Sequence, residues 1–185
     1  DKVEAGFQTV LDHGAYIMGP EISALEARLG EWTGVAHNIS CSSGTDALLL
    51  ALMGLELQPG QGVIVPSFTF AASAEVMPVM GAIPIFAEVD KTSFNLDPEK
   101  LPHALAAGKA AGIDIVGIIG VGLFGQPADY AAIGNFAREN GLWLIDDAAQ
   151  SFGATWHGKP VGQLADVTCT SFFPAKPLGA YGDGG

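Results

Sequence analysis

The chain has 185 residues, of which 49% are hydrophobic and 15% are charged, and it contains 25 glycines. This length and composition suit a well-buried globular domain with many tight turns and exclude a disordered or fibrous chain. The formal net charge of −12 argues against non-specific nucleic-acid binding, which needs a basic face, but it leaves room for a local site for a small anion.

Helical and strand patterns alternate from the first residues onward. Residues 19–32 carry apolar side chains at helical spacing behind Pro20, which suits a first-turn position. Residues 44–55 are apolar all round, which predicts a buried helix, and Pro78 is expected to kink or end the helix that starts at Phe70. Further helices are predicted over 97–108 and 128–141, and strands over 36–43, 62–66, 83–90, 113–125, 142–146 and 166–173.

This order of elements predicts βαβ units, and therefore an α/β domain with a mostly parallel sheet and helices on both faces. In such sheets, ligands bind beyond the carboxyl ends of the strands. Four sequence motifs follow predicted strands in this way, and we take them in turn.

The most apolar segment, residues 110–125, is interrupted by Asp114 and several glycines, so it indicates a buried strand rather than a membrane span. The two cysteines, Cys41 and Cys169, follow no metal or redox spacing. We therefore predict no metal site at the cysteines and no membrane association. The lack of a signal peptide and of a cysteine framework predicts a cytoplasmic location. A helical start without methionine and a Gly-Asp-Gly-Gly end predict a fragment of a longer protein.

The first motif is Ser43-Gly44-Thr45, where a predicted strand passes into a helix. The free N–H groups of a helix start, together with the helix dipole, bind phosphate well, and glycine permits a close approach. The same residues are equally suited to an ordinary helix cap.

The second motif is a pair of acids, Asp146 and Asp147, at the end of a strongly apolar strand, with Gln150 one turn later. A carboxylate at a buried strand end needs a partner. Three interpretations remain open: a helix cap, a metal-binding carboxylate pair, or a carboxylate directed at a cationic ring nitrogen.

The third motif is the pair of aromatic residues Phe68 and Phe70, which follow the strand over 62–66. Such residues belong more often to a core than to a ligand site. One of them is nevertheless placed to stack on a planar ring.

The fourth motif is Lys176, in a run of aromatic, proline and glycine residues over 170–185. A lysine in an apolar pocket loses part of its preference for the charged form and becomes a nucleophile that can form a Schiff base. The alternative is a loop lysine that projects into solvent, which this motif taken alone favours.

The four motifs together meet the needs of pyridoxal phosphate. Its aldehyde requires an amine, its phosphate a helix start, and its ring nitrogen a carboxylate that keeps it protonated, while its ring stacks on an aromatic side chain.

These motifs resemble those of the DegT/DnrJ/StrS-type sugar aminotransferases, which are fold-type I pyridoxal-phosphate enzymes. Within the family, the chain is most similar to enzymes that aminate the 3-keto position of UDP-linked N-acetylhexuronic acid sugars. The resemblance extends over nearly the whole chain, through "GAYIMGPEISALE", "SSGTDALLLAL", "VIVPSFTFAASAEV", "GLFGQPAD", "IDDAAQSFGA" and "TSFFPAKPLGAYGDGG".

The resemblance assigns the chemical roles residue by residue. Lys176 matches the lysine that forms the Schiff base with the cofactor, and Asp147 matches the partner of the ring nitrogen. Gln150 matches the residue beside the ring's phenolic oxygen. Asp146 replaces a glutamate that is usual in the family, at a position that is not the ring-nitrogen partner.

The remaining matches concern the ring face, the phosphate and the sugar. Phe70 matches the aromatic residue on the ring face, and the phosphate group would contact Gly44, Thr45 and Ser171. The segment 14–21 matches a loop near the substrate sugar, which makes Tyr16 and Gly19 candidate substrate-binding residues.

The resemblance implies a ping-pong transamination from an amino donor, glutamate by expectation, to a keto group of a nucleotide-linked sugar. Lys176 is then the general base, and the protonated ring is the electron sink. The expected setting is amino-sugar synthesis for surface polysaccharides such as lipopolysaccharide O-antigen, or for natural products. A related branch of the family dehydrates sugars and has histidine at the lysine position, so lysine favours the aminotransferase branch.

The resemblance also implies a homodimer whose active sites are built from both subunits. Residues 1–185 would be the N-terminal part of the protein with most of the cofactor-binding large domain, without the C-terminal domain. Two alternatives remain open: another fold-type I enzyme, such as a lyase or an amino-acid aminotransferase, and a regulatory homologue without turnover.

Overall fold

The structure is a computed structural model that describes residues 1–185. The backbone falls into two compact units, Asp1–Ser40 and Cys41–Gly185. The first unit contains helix α1 (Lys2–His13) and helix α2 (Pro20–Thr33). Both helices confirm the helical patterns at the start of the sequence.

The sequence of the first unit accounts for the ends of its helices. The Asp1 side chain accepts hydrogen bonds from two backbone N–H groups in the first turn of α1 and so caps it. Helix α2 has Pro20 in its first turn, where the missing N–H costs nothing. Each helix ends at a glycine with positive φ, Gly14 at 67° and Gly34 at 74°, and glycine adopts this conformation without strain.

The second unit contains seven strands: β1 (Gly62–Pro66), β2 (Ile83–Ala87), β3 (Ile115–Val121), β4 (Trp143–Asp147), β5 (Thr155–Trp156), β6 (Lys159–Pro160) and β7 (Val167–Cys169). Five of them form a sheet in which every strand pairs in parallel with its neighbours, in the order β2-β1-β3-β4-β7. The other two, β5 and β6, form a separate antiparallel hairpin.

Helices cover both faces of this sheet, and each face has its own apolar cluster. One cluster joins Leu48 and Leu52 to Ile145, and the other joins Ile133 and Leu144. Side chains of β4 therefore alternate between the two clusters, as the period of a strand requires. The helices are α3 (Gly44–Gly54) and α4 (Ala72–Val79) on the first cluster, and α5 (Leu101–Ala110) and α6 (Tyr130–Glu139) on the second.

This architecture confirms the predicted α/β class and the mostly parallel sheet. Apart from the strand predicted over 36–43, the predicted elements are also confirmed in type, although several strands are shorter than predicted. Strand β2 ends at Ala87 and β3 at Val121, and a short 3₁₀ turn (Pro98–Lys100) precedes α5. Helix α4 ends one residue after Pro78, which agrees with the predicted effect of that proline.

Two predictions need correction, and one element was not predicted. No strand forms over residues 36–43, and Cys41 instead exchanges two backbone hydrogen bonds with Gly185. Helix α3 is not buried all round, because Leu48 faces the sheet whereas Leu50 is 49% exposed. The β5–β6 hairpin was not predicted; its turn consists of His157 and Gly158, both with positive φ.

None of the helices combines the length and the apolar character that a membrane crossing requires.

Candidate active site

A cavity of about 730 Å³ opens at the carboxyl ends of the parallel strands in the second unit. It is lined by segments that follow β1, β3, β4 and β7 and by the first turn of α3. All seven residues that the family resemblance assigns to the cofactor line this one cavity: Gly44, Thr45, Phe70, Asp147, Gln150, Ser171 and Lys176.

Asp147 is the last residue of β4, and its carboxylate is almost completely buried. Its Oδ2 accepts a hydrogen bond from Ser73 Oγ at 2.7 Å, and its Oδ1 accepts one from the Ala149 N–H at 3.2 Å. Burial raises the pKa of the Asp147 carboxyl, while these two hydrogen bonds and the charge of Lys176 oppose the rise. A cationic group in the cavity would stabilise the ionised form of this carboxyl further.

The amine of Lys176 lies over the ring of Phe70, with 5.8 Å between Nζ and the ring centroid. The lysine is half-buried, and its segment is held by hydrogen bonds from the Lys176 N–H to Phe173 O and from the Phe172 N–H to Gly184 O. The structure therefore directs this lysine towards the cavity, although the loop itself is largely exposed.

The two aromatic residues of the third motif are not part of a core. Phe70 is 65% exposed and lines the cavity. Phe68 is also exposed, and its ring contacts those of Phe94 and Phe124. The core interpretation of this motif is therefore wrong, and Phe70 is free to stack against a bound ring.

The start of α3 combines capping with an open anion site. Ser43 caps the helix, because its Oγ accepts a hydrogen bond from the Asp46 N–H at 3.0 Å. The N–H groups of Gly44 and Thr45 precede the first hydrogen bond within the helix, so they can bind an anion. A Cβ at Gly44 would lie 2.6 Å from the Ser171 Cβ, so this contact requires a glycine.

Gln150 is held by the backbone of the loop after β3. Its Oε1 accepts a hydrogen bond from the Phe124 N–H at 2.9 Å. Phe124 has a φ of 56°, which is unusual for an aromatic residue, and it lines the same cavity. The amide nitrogen of Gln150 remains available to a ligand.

Three predicted residues lie elsewhere. Tyr16 and Gly19 belong to the first unit, where Tyr16 is 65% exposed. A Cβ at Gly19 would lie 2.3 Å from the Ala15 carbonyl oxygen, so this loop requires a glycine. Asp146 occupies the opposite face of the sheet from Asp147, as the strand period predicts, and accepts a hydrogen bond from the Tyr130 hydroxyl.

The sequence interpretation missed Ser73, Thr69 and Asp183. Thr69 and Asp183 line the cavity, and Ser73 bonds to Asp147 from outside it. Ser73 lies in a run of small residues that is typical of a plain helix, so only the fold reveals its contact with a residue 74 positions away.

Known proteins resemble this chain along its whole length. The chain is 49% identical over 185 residues to the UDP-2-acetamido-2-deoxy-3-oxo-D-glucuronate aminotransferase of Pseudomonas aeruginosa. The match covers all of this chain and 50% of that protein. The chain therefore spans about half the length of this curated relative.

Solved structures show the same fold. A DegT DnrJ EryC1 StrS aminotransferase from Brucella abortus matches with a TM-score of 0.95 and 47% identity, over 98% of this chain and 49% of that one. NtdA from Bacillus subtilis, solved with bound cofactor PMP, matches with a TM-score of 0.87 and 32% identity, over 96% of this chain and 38% of that one.

The sequence model of one family covers every residue from 1 to 185. Taken with the parallel sheet and the cavity at its carboxyl edge, this match shows that the chain belongs to the DegT/DnrJ/EryC1/StrS aminotransferase family.

Proposed function

We propose that residues 1–185 supply most of the cofactor-binding part of a pyridoxal-phosphate-dependent aminotransferase that acts on a nucleotide-linked keto sugar. The observation that carries the proposal is the cavity, which brings together the seven residues of the family's cofactor pattern from separate segments. The bound PMP of the Bacillus neighbour and the substrate in the name of the Pseudomonas relative support it.

The residues of the cavity fit the cofactor's chemistry. Asp147 is a buried carboxylate whose two hydrogen-bond donors, Ser73 and the Ala149 N–H, are both uncharged, so a cationic ring nitrogen would be its natural partner. The start of α3 and the Ser171 hydroxyl suit a phosphate, and the Phe70 ring suits a planar ring. Lys176 is the only lysine or arginine that lines the cavity, and its amine would form the Schiff base with the aldehyde.

When bound, the cofactor would supply an electron-withdrawing ring and carry the amino group from one substrate to the other. The Asp147 carboxylate would favour the protonated form of the ring nitrogen. The amide nitrogen of Gln150 would donate a hydrogen bond to the phenolic oxygen. The Lys176 amine would act as general base for the proton on the α-carbon of the amino donor.

We further propose glutamate as the amino donor, a UDP-linked 3-keto N-acetylhexuronic acid as the acceptor, and a role in amino-sugar or surface-polysaccharide synthesis. A homodimer with shared active sites is also part of the proposal. The exposed aromatic rings of Phe68, Phe94 and Phe124 support it, because they present apolar surface beside the cavity that a second subunit would cover.

The test uses the full-length protein with pyridoxal phosphate, L-glutamate and the UDP-linked 3-keto sugar, and follows both products by mass spectrometry. Amino sugar and 2-oxoglutarate should form in equal amounts, and Lys176→Ala should abolish both. Lys159→Ala is the matched control, since Lys159 lies on the hairpin outside the cavity. Product formation by Lys176→Ala, or no amino transfer to any of a panel of keto-sugar nucleotides, would contradict the proposal.

A further inference from the structure

Ser73 is a fully buried serine in the first turn of α4, and its hydroxyl makes no contact that the helix needs. The helix has no side-chain cap, and the Ser73 hydroxyl does not provide one. Instead, Ser73 Oγ donates to Asp147 Oδ2 at 2.7 Å and lies 2.9 Å from Thr69 Oγ1. The hydroxyl is therefore committed to the site and not to the helix.

The surroundings of Ser73 are apolar, so its hydroxyl would destabilise the folded state without a hydrogen-bond partner. Its neighbours Ala72, Val76 and Met77 are buried in the cluster between α4 and the sheet. A buried hydroxyl costs free energy unless it is hydrogen-bonded, and alanine has the higher helix propensity. Alanine would thus suit both the helix and the cluster better, which leaves the contact with Asp147 as the reason for a serine.

The direction of the hydrogen bonds follows from the number of protons. A serine hydroxyl has one proton, and an ionised carboxylate only accepts, so the Ser73 proton is directed at Asp147. The Thr69 hydroxyl must then be the donor to Ser73 Oγ. The Ser73 hydroxyl therefore donates to the ionised carboxylate and stabilises it, and the Thr69 hydroxyl orients the Ser73 proton towards Asp147.

The carboxylate of Asp147 is also fixed in orientation. One oxygen is held by Ser73 from helix α4 and the other by the Ala149 N–H from the segment after β4. Two donors on different elements prevent the carboxylate from rotating. Thr69 lines the cavity, whereas Ser73 holds the carboxylate from behind it.

We propose that Ser73 is a positioning residue that holds the Asp147 carboxylate ionised and in one orientation towards a cationic ring nitrogen, with Thr69 setting the direction of the Ser73 hydroxyl. This inference rests on the proposed function for the identity of the cation. The bond between Ser73 and Asp147 can be tested without any cofactor.

Other titratable groups interact with Asp147 and enter the design of the test. The charge of Lys176, in the loop after β7, opposes the rise in the Asp147 pKa. The Asp147 charge in turn raises the pKa of Asp146 on β4, of Tyr130 on α6 and of Cys169 on β7. The Lys176 charge favours the ionised form of Asp147, as Ser73 does. Each comparison therefore keeps these four residues unchanged and varies only the hydroxyl groups.

The first measurement is the titration of Asp147 in the cofactor-free full-length protein, followed by carbon NMR of labelled aspartate carboxyls and assigned with Asp147→Asn. Ser73→Ala should move the titration midpoint to higher pH, because a donor to the ionised form is lost. Ser73→Thr, which keeps the hydroxyl, should restore the wild-type midpoint. Thr69→Val should shift it in the same direction by less, and it provides the test if Ser73→Ala does not fold.

The second measurement is the dissociation constant of pyridoxal phosphate as a function of pH. Ser73→Ala should weaken binding about tenfold or more at neutral pH, the range for a hydrogen bond to a charged group, and the loss should shrink as pH rises and Asp147 ionises. Ser151→Ala is the matched control, because it deletes another buried serine hydroxyl, one that has no hydrogen-bond partner.

An unchanged Asp147 midpoint in both Ser73→Ala and Thr69→Val would overturn the inference, as would a loss of binding that is equal at every pH. Failure of the wild-type protein to bind pyridoxal phosphate would instead contradict the proposed function. The cofactor-free titration would still decide whether Ser73 holds Asp147 in its ionised form.

Discussion

The two carboxylates at the end of β4, Asp146 and Asp147, lie on opposite faces of the sheet and have different hydrogen-bond partners. Asp147 faces the cavity, receives hydrogen bonds on both oxygens and lies near the Lys176 charge. Asp146 faces the opposite cluster, receives a hydrogen bond from Tyr130 on one oxygen, and its Oδ2 has no partner. Both side chains are buried, so the difference lies in their partners and not in their exposure.

This difference affects the pKa of each carboxyl. Burial and the charge of Asp147 raise the pKa of Asp146 to about 7, with only the Tyr130 hydrogen bond opposing the rise. At Asp147, two hydrogen bonds and the Lys176 charge oppose the effect of burial. Asp146 can therefore stay protonated and leave the negative charge on Asp147, where a cation can use it. Like charges on adjacent residues repel in a buried site, so neutrality at one position supports ionisation at the other.

The strongest test of the comparison exchanges each acid for its amide. Asp147→Asn should lower kcat/KM about a thousandfold, since it removes a preorganised charge from the reacting ring, at the upper end of what one such contact contributes. Asp146→Asn should leave kcat/KM within a few-fold of the wild type, because the carboxyl that it replaces is protonated below about pH 7 and lies on the other face of the sheet. Steady-state kinetics of the two full-length variants check this, and equal losses in both would remove the distinction between the faces.

The pH dependence of stability should report on Asp146 in the cofactor-free protein. Below about pH 4 the carboxyl is protonated in both the folded and the unfolded state, and above about pH 7 it is ionised in both. Between these values the folded state retains a proton that the unfolded state has lost, so the free energy of unfolding falls as pH rises. The fall in the free energy of unfolding is at most about 4 kcal/mol. This figure follows from the rise of the Asp146 pKa from its ordinary value to about 7, since each pKa unit corresponds to about 1.36 kcal/mol.

Urea unfolding at a series of pH values measures this fall. Asp146→Asn should remove its share and flatten the curve between about pH 4 and pH 7. An identical slope in the wild type and in Asp146→Asn would show that Asp146 has an ordinary pKa in the folded protein.

Tyr130→Phe tests the one hydrogen bond that Asp146 receives. The variant leaves a buried carboxyl without a donor, which should cost about 2 kcal/mol in the free energy of unfolding at neutral pH. The pKa of Asp146 should rise further, because a bond that favours its ionised form is lost. Cofactor affinity should be retained, since Tyr130 faces away from the cavity; a large loss of affinity would contradict the separation of the two faces.

Periodicity and turn residues predicted most of the fold. Strands β1 and β3 are continuous apolar runs, and β4 begins with one over residues 143–145, as expected for a parallel sheet covered on both faces. Two features of the fold were not predicted correctly, the segment 36–43 and the β5–β6 hairpin. No strand forms over the segment 36–43, and the two backbone hydrogen bonds that Cys41 makes with Gly185 extend into no ladder. The His157-Gly158 turn is a weak form of the Asn-Gly signal for a two-residue hairpin.

The candidate site was predictable only where it follows strand ends. The residue types of Asp147, Lys176 and the start of α3, and their positions after predicted strands, were enough to make them candidate site residues. Ser73 could not be predicted, since nothing in its neighbourhood distinguishes it from a helix serine in contact with solvent. The opposite faces of Asp146 and Asp147 follow from strand period, but their hydroxyl donors, Tyr130 on α6 and Ser73 on α4, lie far from them in the sequence.

Two glycine-to-alanine variants compare the faces with the smallest chemical change. A Cβ at Gly120 would lie 2.9 Å from the Tyr130 ring, and a Cβ at Gly44 would lie 2.6 Å from the Ser171 Cβ. Each variant should cost roughly 1 kcal/mol in the free energy of unfolding through overpacking. Only Gly44→Ala should also weaken the binding of pyridoxal phosphate, because it widens the proposed phosphate site, whereas Gly120→Ala displaces the Tyr130 ring on the other face. Calorimetric unfolding and cofactor titration of both variants separate the effects, and weaker binding by Gly120→Ala alone would mean that the face of Asp146 controls the cavity after all.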